Sequence, residues 1–300
     1  MQVLEKLKLK IRIKEEDKKF GALILTLPHA RNSYNGEILG RTLADWLAFA
    51  CGNMPYKKLD YDGKDNVLNF AKNYIDNKVD YTIILLSTTP LLERDVVSDI
   101  VEYCTVKNIN ICKLPVGYVI NNEYLLNNNN PTIDSLYSQH LESFYIVENK
   151  KQYNYALEVL QERINTFHMN NGVDIKKPKS VYIEPEVDIA SGVIIYPNNS
   201  LKGSSTIGEN VILKENNVID NSKIGKNSCL SSSNIKGSVI SDNVYISSFC
   251  DVVNGLIGSC CTIGSGVKIY NHKLEDNSKV SANSVLGEDD DSSSWSGQSR

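Results

Sequence analysis

Ile183-Glu-Pro-Glu-Val-Asp-Ile189-Ala-Ser-Gly-Val-Ile-Ile195 opens the stretch that decides the fold. From Ile183 an aliphatic residue returns at every sixth position, through Ile189, Ile195, Leu201, Ile207, Leu213 and Ile219. A five-residue step leads to Ile224. Steps of five and six then continue through Leu230, Ile235, Ile240, Ile246, Val252, Ile257, Ile263, Ile269, Leu274 and Val280 to Leu286. Gly, Ser, Asn and Asp fill the places between, as in Ile207-Gly-Glu-Asn-Val211. A beat of six suits neither an amphipathic helix nor an alternating strand. It suits a hexapeptide β-solenoid, in which three short strands make one triangular coil. The aliphatic then points into the prism, and the residue four places on covers the same wall. The polar pair turns the corner, where Gly and Asn tolerate positive φ. Each coil pairs its backbone with the coils above and below. Each buried aliphatic gains roughly 1.5–3 kcal/mol before entropy. A polar linker would not keep aliphatics in phase over so long a run.

The whole chain of 300 residues, net charge −4 and pI about 5.7, has room for one to three domains with a real core. The acidic balance speaks against nucleic acid as a partner. No apolar run is long enough for a membrane span. The start, Met1-Gln-Val-Leu-Glu-Lys6, lacks the apolar core of a signal peptide, so a cytoplasmic location is expected. The seven cysteines lack metal-type spacing, and their odd number reads as reduced thiols. Cys260-Cys261 reads as one outward and one inward solenoid residue.

Upstream, the alternation from Leu7 to Ile13 reads as a half-exposed strand and Gly21–Leu27 as a buried parallel strand. Pro28–Gly40 reads as a polar loop. Thr42 is placed to cap a helix ending near Ala50, with Gly52 as its stop. Further helices are expected near Asp65–Asn77 and 91–104. Further strands are expected at Tyr81–Leu86, Ile109–Leu114, Tyr118–Ile120 and Phe144–Val147. Asn121–Asp134 reads as an Asn-rich loop. Strands alternating with helices imply an α/β sheet with parallel members. Lys151–Met169 has Tyr153, Leu157, Leu160, Ile164 and Phe167 at helical spacing and reads as a bridge. Pro178 marks entry to the solenoid.

This order of parts resembles the bifunctional N-acetylglucosamine-1-phosphate uridylyltransferase / glucosamine-1-phosphate acetyltransferase family. The densest likeness is Leu160-Gln-Glu-Arg-Ile-Asn-Thr-Phe-His-Met-Asn-Asn-Gly-Val-Asp-Ile-Lys-Lys-Pro178, which looks like the family's bridge segment. Val181–Ile189 and Ile195-Tyr-Pro197 look like its first coils. Ser87-Thr-Thr-Pro-Leu-Leu92 resembles its "GDTPLL", Leu39-Gly-Arg-Thr-Leu43 its "LAGKPM" and Val147-Glu-Asn-Lys150 its "VNNR". The resemblance implies an α/β nucleotidyltransferase-like (Rossmann-like) domain over 1–150 and a bridging helix and linker over 151–178. It also implies a left-handed parallel β-helix of hexapeptide repeats over 179–287. The tail over 288–300 has no pattern and is read as disordered. Such solenoids trimerise along a prism face, and Tyr245, Phe249 and Tyr270 are candidates for an exposed wall.

Where the family has a Gly-rich loop to hold a nucleoside triphosphate, this chain has Leu25-Thr-Leu-Pro-His-Ala-Arg-Asn-Ser33. Arg31 is the candidate stand-in for the loop arginine; the family's lysine has no clear equivalent, Glu37 being the nearest residue in frame and of the wrong sign. The Asp of "GDTPLL", which holds Mg²⁺, is replaced by Thr88, a far weaker ligand. The family's second metal residue falls on Glu148 or Asn149. Pro115-Val-Gly117, the counterpart of an "NTG" segment, follows Thr88 within thirty residues, so most of the substrate-binding insertion is missing. Each loss removes phosphate or metal stabilisation, on which phosphoryl transfer chiefly depends. Arg31, Thr88, Gly117, Glu148 and Asn149 are therefore read as remnants of a substrate site, with no metal site. The candidate acyl-transfer base is His272, in Tyr270-Asn-His-Lys273, against the plainer reading of an outward corner histidine. His29, His140 and His168 read as surface or helix-face residues.

The resulting expectation is a protein of the sugar-nucleotide (UDP-N-acetylglucosamine) pathway with lost or weak catalysis, regulating or scaffolding cell-wall precursor synthesis. It would be a homotrimer that takes a sugar nucleotide or sugar phosphate, with neither nucleic acid nor membrane as partner and no cofactor. The alternative is a working transferase, which would use Mg²⁺ for nucleotidyl transfer or acetyl-CoA for acyl transfer at His272.

Overall fold

The computed structural model describes residues 18–27 and 37–288. The expected strand at Leu7–Ile13, most of the loop before Gly40, with His29 and Arg31, and the tail beyond Glu288 lie outside the described residues. The chain forms two compact units that divide at Leu160/Gln161.

The first unit is a mixed α/β sheet. Its centre is β1 (Phe20–Thr26), flanked by β4 (Tyr56–Asp60) and β5 (Tyr81–Leu86), both parallel to it. Strand β7 (Tyr118–Asn121) runs antiparallel to β5, and β6 (Ile111–Lys113) antiparallel to β7. Strand β8 (Ser135–Leu136) closes that edge parallel to β6. Strands β1 and β5 are buried along nearly all their length, as their unbroken apolar runs require. Between β1 and β4 come a two-residue hairpin, β2 (Glu37–Ile38) with β3 (Arg41–Thr42), and helix α1 (Leu43–Cys51). Thr42 caps α1 in a reciprocal box with Asp45, and Gly52 ends it at φ 62. The expected helix over Asp65–Asn77 contracts to α2 (Val67–Lys72), started by the Asn66 side chain and ended by the turn after Asn73. The helix expected over 91–104 runs instead from Arg94 to Lys107 (α3), because Pro90 keeps the chain in turns until Glu93. Two expectations fail outright. The Asn-rich loop contains α4 (Asn122–Asn127), nucleated by the Asn121 side chain accepting the Tyr124 N–H at 3.0 Å. Phe144–Val147 is not a strand: a 3₁₀ turn covers Leu141–Phe144, and the Val147 N–H instead donates to the Thr88 carbonyl at 2.7 Å.

Helix α5 (Lys150–Asn170) leads into the second unit. That unit is a parallel β-solenoid of about seven turns, whose three walls are sheets of seven, six and seven short strands. Residues pair coil to coil in the phase that the aliphatic beat dictates, Ile183 with Leu201 and Leu201 with Ile219. Every aliphatic of the row from Ile183 to Leu274 is buried in one continuous core, while Val280 and Leu286 pack against its end only partly buried. The architecture is consistent with a left-handed hexapeptide β-helix. Asn takes positive φ at ten corners between Asn198 and Asn283. Asn and Gly do this at little cost, which accounts for the Asn-rich composition. The second half of α5 closes the first coil. Asn165, 1% exposed, donates through Nδ2 to the carbonyls of Pro178 at 2.8 Å and Val181 at 3.1 Å. Ile164 packs onto the solenoid core beside it.

A second inward column carries polar residues. Asn199, Ser205, Asn217, Ser222, Ser228, Ser233 and Ser238 are all buried, two places before an inward aliphatic. Each is satisfied by the neighbouring coil. The Ser238 N–H donates to Ser222 Oγ at 3.0 Å, and the Gly255 N–H to Ser238 Oγ at 2.9 Å. A buried polar side chain is tolerated on those terms. Among the described residues no helix is long and apolar enough to cross a membrane, and no group of His, Cys, Asp and Glu could hold a metal ion.

Candidate functional sites

In the α/β unit the chain past the carboxyl end of β5 is Ser87-Thr-Thr-Pro90, all of it buried. Thr88 is 3% exposed, and its carbonyl accepts the Val147 N–H. That bond brings the segment holding Glu148 and Asn149 beside Thr88, so three of the five candidate residues lie on neighbouring segments. Their contacts build the fold. Asn149 Oδ1 accepts the Gln152 N–H at 3.1 Å and Gln152 Oε1 accepts the Glu148 N–H at 2.9 Å, a reciprocal cap for the start of α5. Gly117 sits elsewhere, on the loop into β7 at φ +109, pressed against β5. A Cβ there would lie 2.0 Å from the Ile84 carbonyl oxygen. Glycine is needed there for close backbone packing. Arg31 lies outside the described residues.

His272 is not the outward corner residue expected from its place after Ile269. It stands two residues before the inward Leu274, in the column of Ser222, Ser238 and Gly255, and is half-buried. The five-residue step from Ile269 to Leu274 shortens the corner by one residue and carries His272 into that inward phase. Its carbonyl accepts the Leu256 N–H at 3.0 Å, as the Gly255 carbonyl accepts that of Val239 one coil earlier. Of the aromatic residues considered for a wall, Tyr245 lies on one wall and Tyr270 on the next. Phe249 sits on the corner between them, 77% exposed and at φ 66. Tyr270 Oη donates to Asp251 Oδ2 at 3.0 Å.

The solenoid also holds a cleft of about 480 Å³ that the sequence did not announce. Its polar lining includes His168, Asp188, Thr206, Lys223, Lys226 and Asp242. Asp188, Thr206 and Lys223 stack on three successive coils of one wall, each just before an inward isoleucine. Two places further along each coil come Ala190, Gly208 and Gly225, small residues that leave the wall open. His168, from the last turns of α5, is 1% exposed, so the expectation of a surface or helix-face residue is corrected. Burial holds its imidazole down to about 4, against the smaller upward pull of the Asp188 carboxylate. Lys226 is paired with Glu209 at 2.9 Å, and Asp242 accepts the Lys226 N–H at 2.8 Å. The signal that marks this cleft in the sequence is the phase just before the aliphatic, where Asp188, Thr206 and Lys223 recur one coil apart.

These features define a hexapeptide-repeat β-helix protein carrying a small mixed α/β unit. Residues 211–296 match the family model described as the GlmU-like C-terminal hexapeptide. The bifunctional protein GlmU of Clostridium beijerinckii is 36% identical over 143 residues, covering 47% of this chain and 31% of that protein. GlmU of Streptococcus equi subsp. zooepidemicus is 35% identical over 130 residues, 43% of this chain and 28% of that protein. GlmU of Clostridioides difficile is 34% identical over 149 residues, 49% and 32% respectively. The chain is thus a distant relative of GlmU over somewhat under half its length, and spans about a third of the length of the curated relatives it matches. Among solved structures, the acetyltransferase domain of PglB from Neisseria gonorrhoeae covers 89% of this chain and 92% of that one, at 11% identity and a TM-score of 0.19. A Bacillus cereus structure described as an acetyltransferase covers 39% and 73%, at 17% identity and a TM-score of 0.17. Likenesses at those scores carry no weight here.

Proposed function

We propose that this chain is a protein of the UDP-N-acetylglucosamine pathway, related to GlmU, whose α/β unit has lost or nearly lost nucleotidyl transfer and serves in regulation or as a scaffold. The observation that supports this most is the fate of Thr88. The residue that replaces the family's Mg²⁺-binding aspartate is neutral and buried, with its carbonyl bonded to Val147. A neutral hydroxyl is a poor partner for a hard cation that prefers carboxylates and water. Asn149, at the second metal position, is spent on capping α5. In this reading the solenoid assembles three copies side by side. Titration calorimetry with UDP-N-acetylglucosamine tests it: saturable binding without turnover supports a regulatory role. Absence of binding alongside a trimer in solution would leave only a structural one.

A second reading has one observation in its favour. The matched segment, residues 211–296, is the hexapeptide part of a family whose resemblance implies acetyl transfer, and it contains His272. An acyltransferase would use that imidazole to deprotonate an amino-sugar acceptor for attack on an acyl thioester. It predicts thiol release from acetyl-CoA. An unchanged rate after His272→Ala would rule it out.

A further inference from the structure

Three side chains in the solenoid cleft have no internal partner among the described residues. Thr206 Oγ1 is fully buried and makes no hydrogen bond. Left bare, such a hydroxyl is costly, and in native structures an orphan of this kind marks a water or ligand position. The Asp188 carboxylate and the Lys223 ammonium stand on either side of it, one coil below and one above. Neither side chain makes an ion pair or hydrogen bond among the described residues. Adjacent strands lie roughly 4.8 Å apart, so the two charges are anchored about 10 Å apart on the backbone, and side-chain reach closes that gap. In the structure they do not pair with one another, and they stand close enough to grip opposite ends of one small molecule. The floor beneath them includes His168, which is 1% exposed. Its ring makes no hydrogen bond among the described residues. Because burial holds it neutral at ordinary pH, it supplies Asp188 with no counter-charge. The remaining lining charges are already satisfied, Lys226 by Glu209 and Asp242 by a backbone N–H.

A carboxylate, a hydroxyl and an ammonium in line call for the complementary series in a ligand. We propose that the cleft binds a small hydroxylated zwitterion, with its amine on Asp188, its anionic group on Lys223 and a hydroxyl bonded to Thr206. The lining Asp188, Asp242, Lys223 and Lys226 sum to zero charge, which disfavours a polyanion such as a nucleoside triphosphate. The volume of about 480 Å³ lies within the range of small-molecule clefts. Asp188, Thr206 and Lys223 belong to the solenoid, so binding here does not depend on the proposed role of the α/β unit.

Three probes separate the two charges: glucosamine 6-phosphate carries both, glucose 6-phosphate lacks the amine, and glucosamine lacks the phosphate. The whole 300-residue chain is titrated with each by calorimetry, and the His168 ring resonances are followed by NMR. Glucosamine 6-phosphate is expected to bind about tenfold more tightly than either single-charge probe, one charge-assisted bond being the difference. It should also shift the His168 signals. Asp188→Asn should lower its affinity to that of glucose 6-phosphate, and Lys223→Gln to that of glucosamine. Neither side chain is buried or bonded internally, so the variants should keep the wild-type unfolding midpoint. The proposal is overturned if no probe binds in the millimolar range, if the three bind alike, or if the two variants leave the ranking unchanged.

Discussion

Replacing Asn217 by alanine would remove one link of the buried polar column that runs between coils. Asn217 is wholly buried. Its Nδ2 donates to the Lys214 carbonyl at 2.6 Å and to Asn199 Oδ1 at 2.9 Å, and its Oδ1 accepts the Ser233 N–H at 3.1 Å. After truncation the Lys214 carbonyl keeps a bond from Asn199 Nδ2 at 2.8 Å, and Asn199 Oδ1 keeps the Asn217 N–H at 3.2 Å. The Ser233 amide keeps nothing and stays buried. That orphan costs about 1–3 kcal/mol, and the two lost Nδ2 bonds add about 1 kcal/mol each, so a loss of about 3–5 kcal/mol is expected. Urea unfolding followed by far-UV circular dichroism measures the total, and hydrogen exchange at the Ser233 amide locates it. The control is Asn210→Ala, at an exposed corner with φ 58 and a single side-chain bond of 3.3 Å to Asn227. It should cost only about 1–2 kcal/mol, the strain of a left-handed alanine. Equal losses for the two variants, or a loss below about 0.5 kcal/mol for Asn217→Ala, would overturn the view that the inward polar column holds the coils in register.

Two further outcomes are expected. Gly117→Ala would push a Cβ to 2.0 Å from the Ile84 carbonyl oxygen at a φ of +109. The α/β unit should lose several kcal/mol, about 3 or more, while the solenoid keeps its own unfolding transition; a single unshifted transition would contradict this. His168 gives a pH dependence whose sign is fixed by its lowered pKa. The unfolded histidine protonates near its ordinary value of 6.5 and the folded one only near about 4. Its contribution is therefore complete above pH 6.5 and lost as pH falls from there to about 4, a change on the order of 3 kcal/mol. His168→Asn should flatten solenoid stability across that window, and an unchanged slope would show that the imidazole is not held neutral.

The solenoid is legible in the sequence because each coil demands one aliphatic in a fixed phase, and seventeen rows from Ile183 to Leu274 obey it. The inward polar column is hidden for a physical reason. Its phase is regular, two places before each aliphatic, but Ser222 and Asn217 are the same residue types that turn exposed corners, so residue type alone does not mark them as inward. His272 escapes in a related way, since a five-residue step moves a corner position inward. In the α/β unit the strands buried on both faces, Phe20–Thr26 and Tyr81–Leu86, stand out, whereas the edge strand Tyr56–Asp60 is largely exposed and has no pattern. The capping box at Thr42 is visible from spacing, but the cap that absorbs Asn149 depends on Gln152 folding back. The cleft is hidden because Asp188, Thr206 and Lys223 are distant in sequence and meet only when coils stack.

Whether the α/β unit still transfers nucleotides is decided by the pyrophosphate it releases from UTP in the presence of N-acetylglucosamine 1-phosphate and Mg²⁺. The proposal that Thr88 stands where the family has its metal aspartate predicts no release above that of protein-free solution. Release that depends on the protein, and is abolished by substituting Thr88 or Glu148, would contradict the proposal.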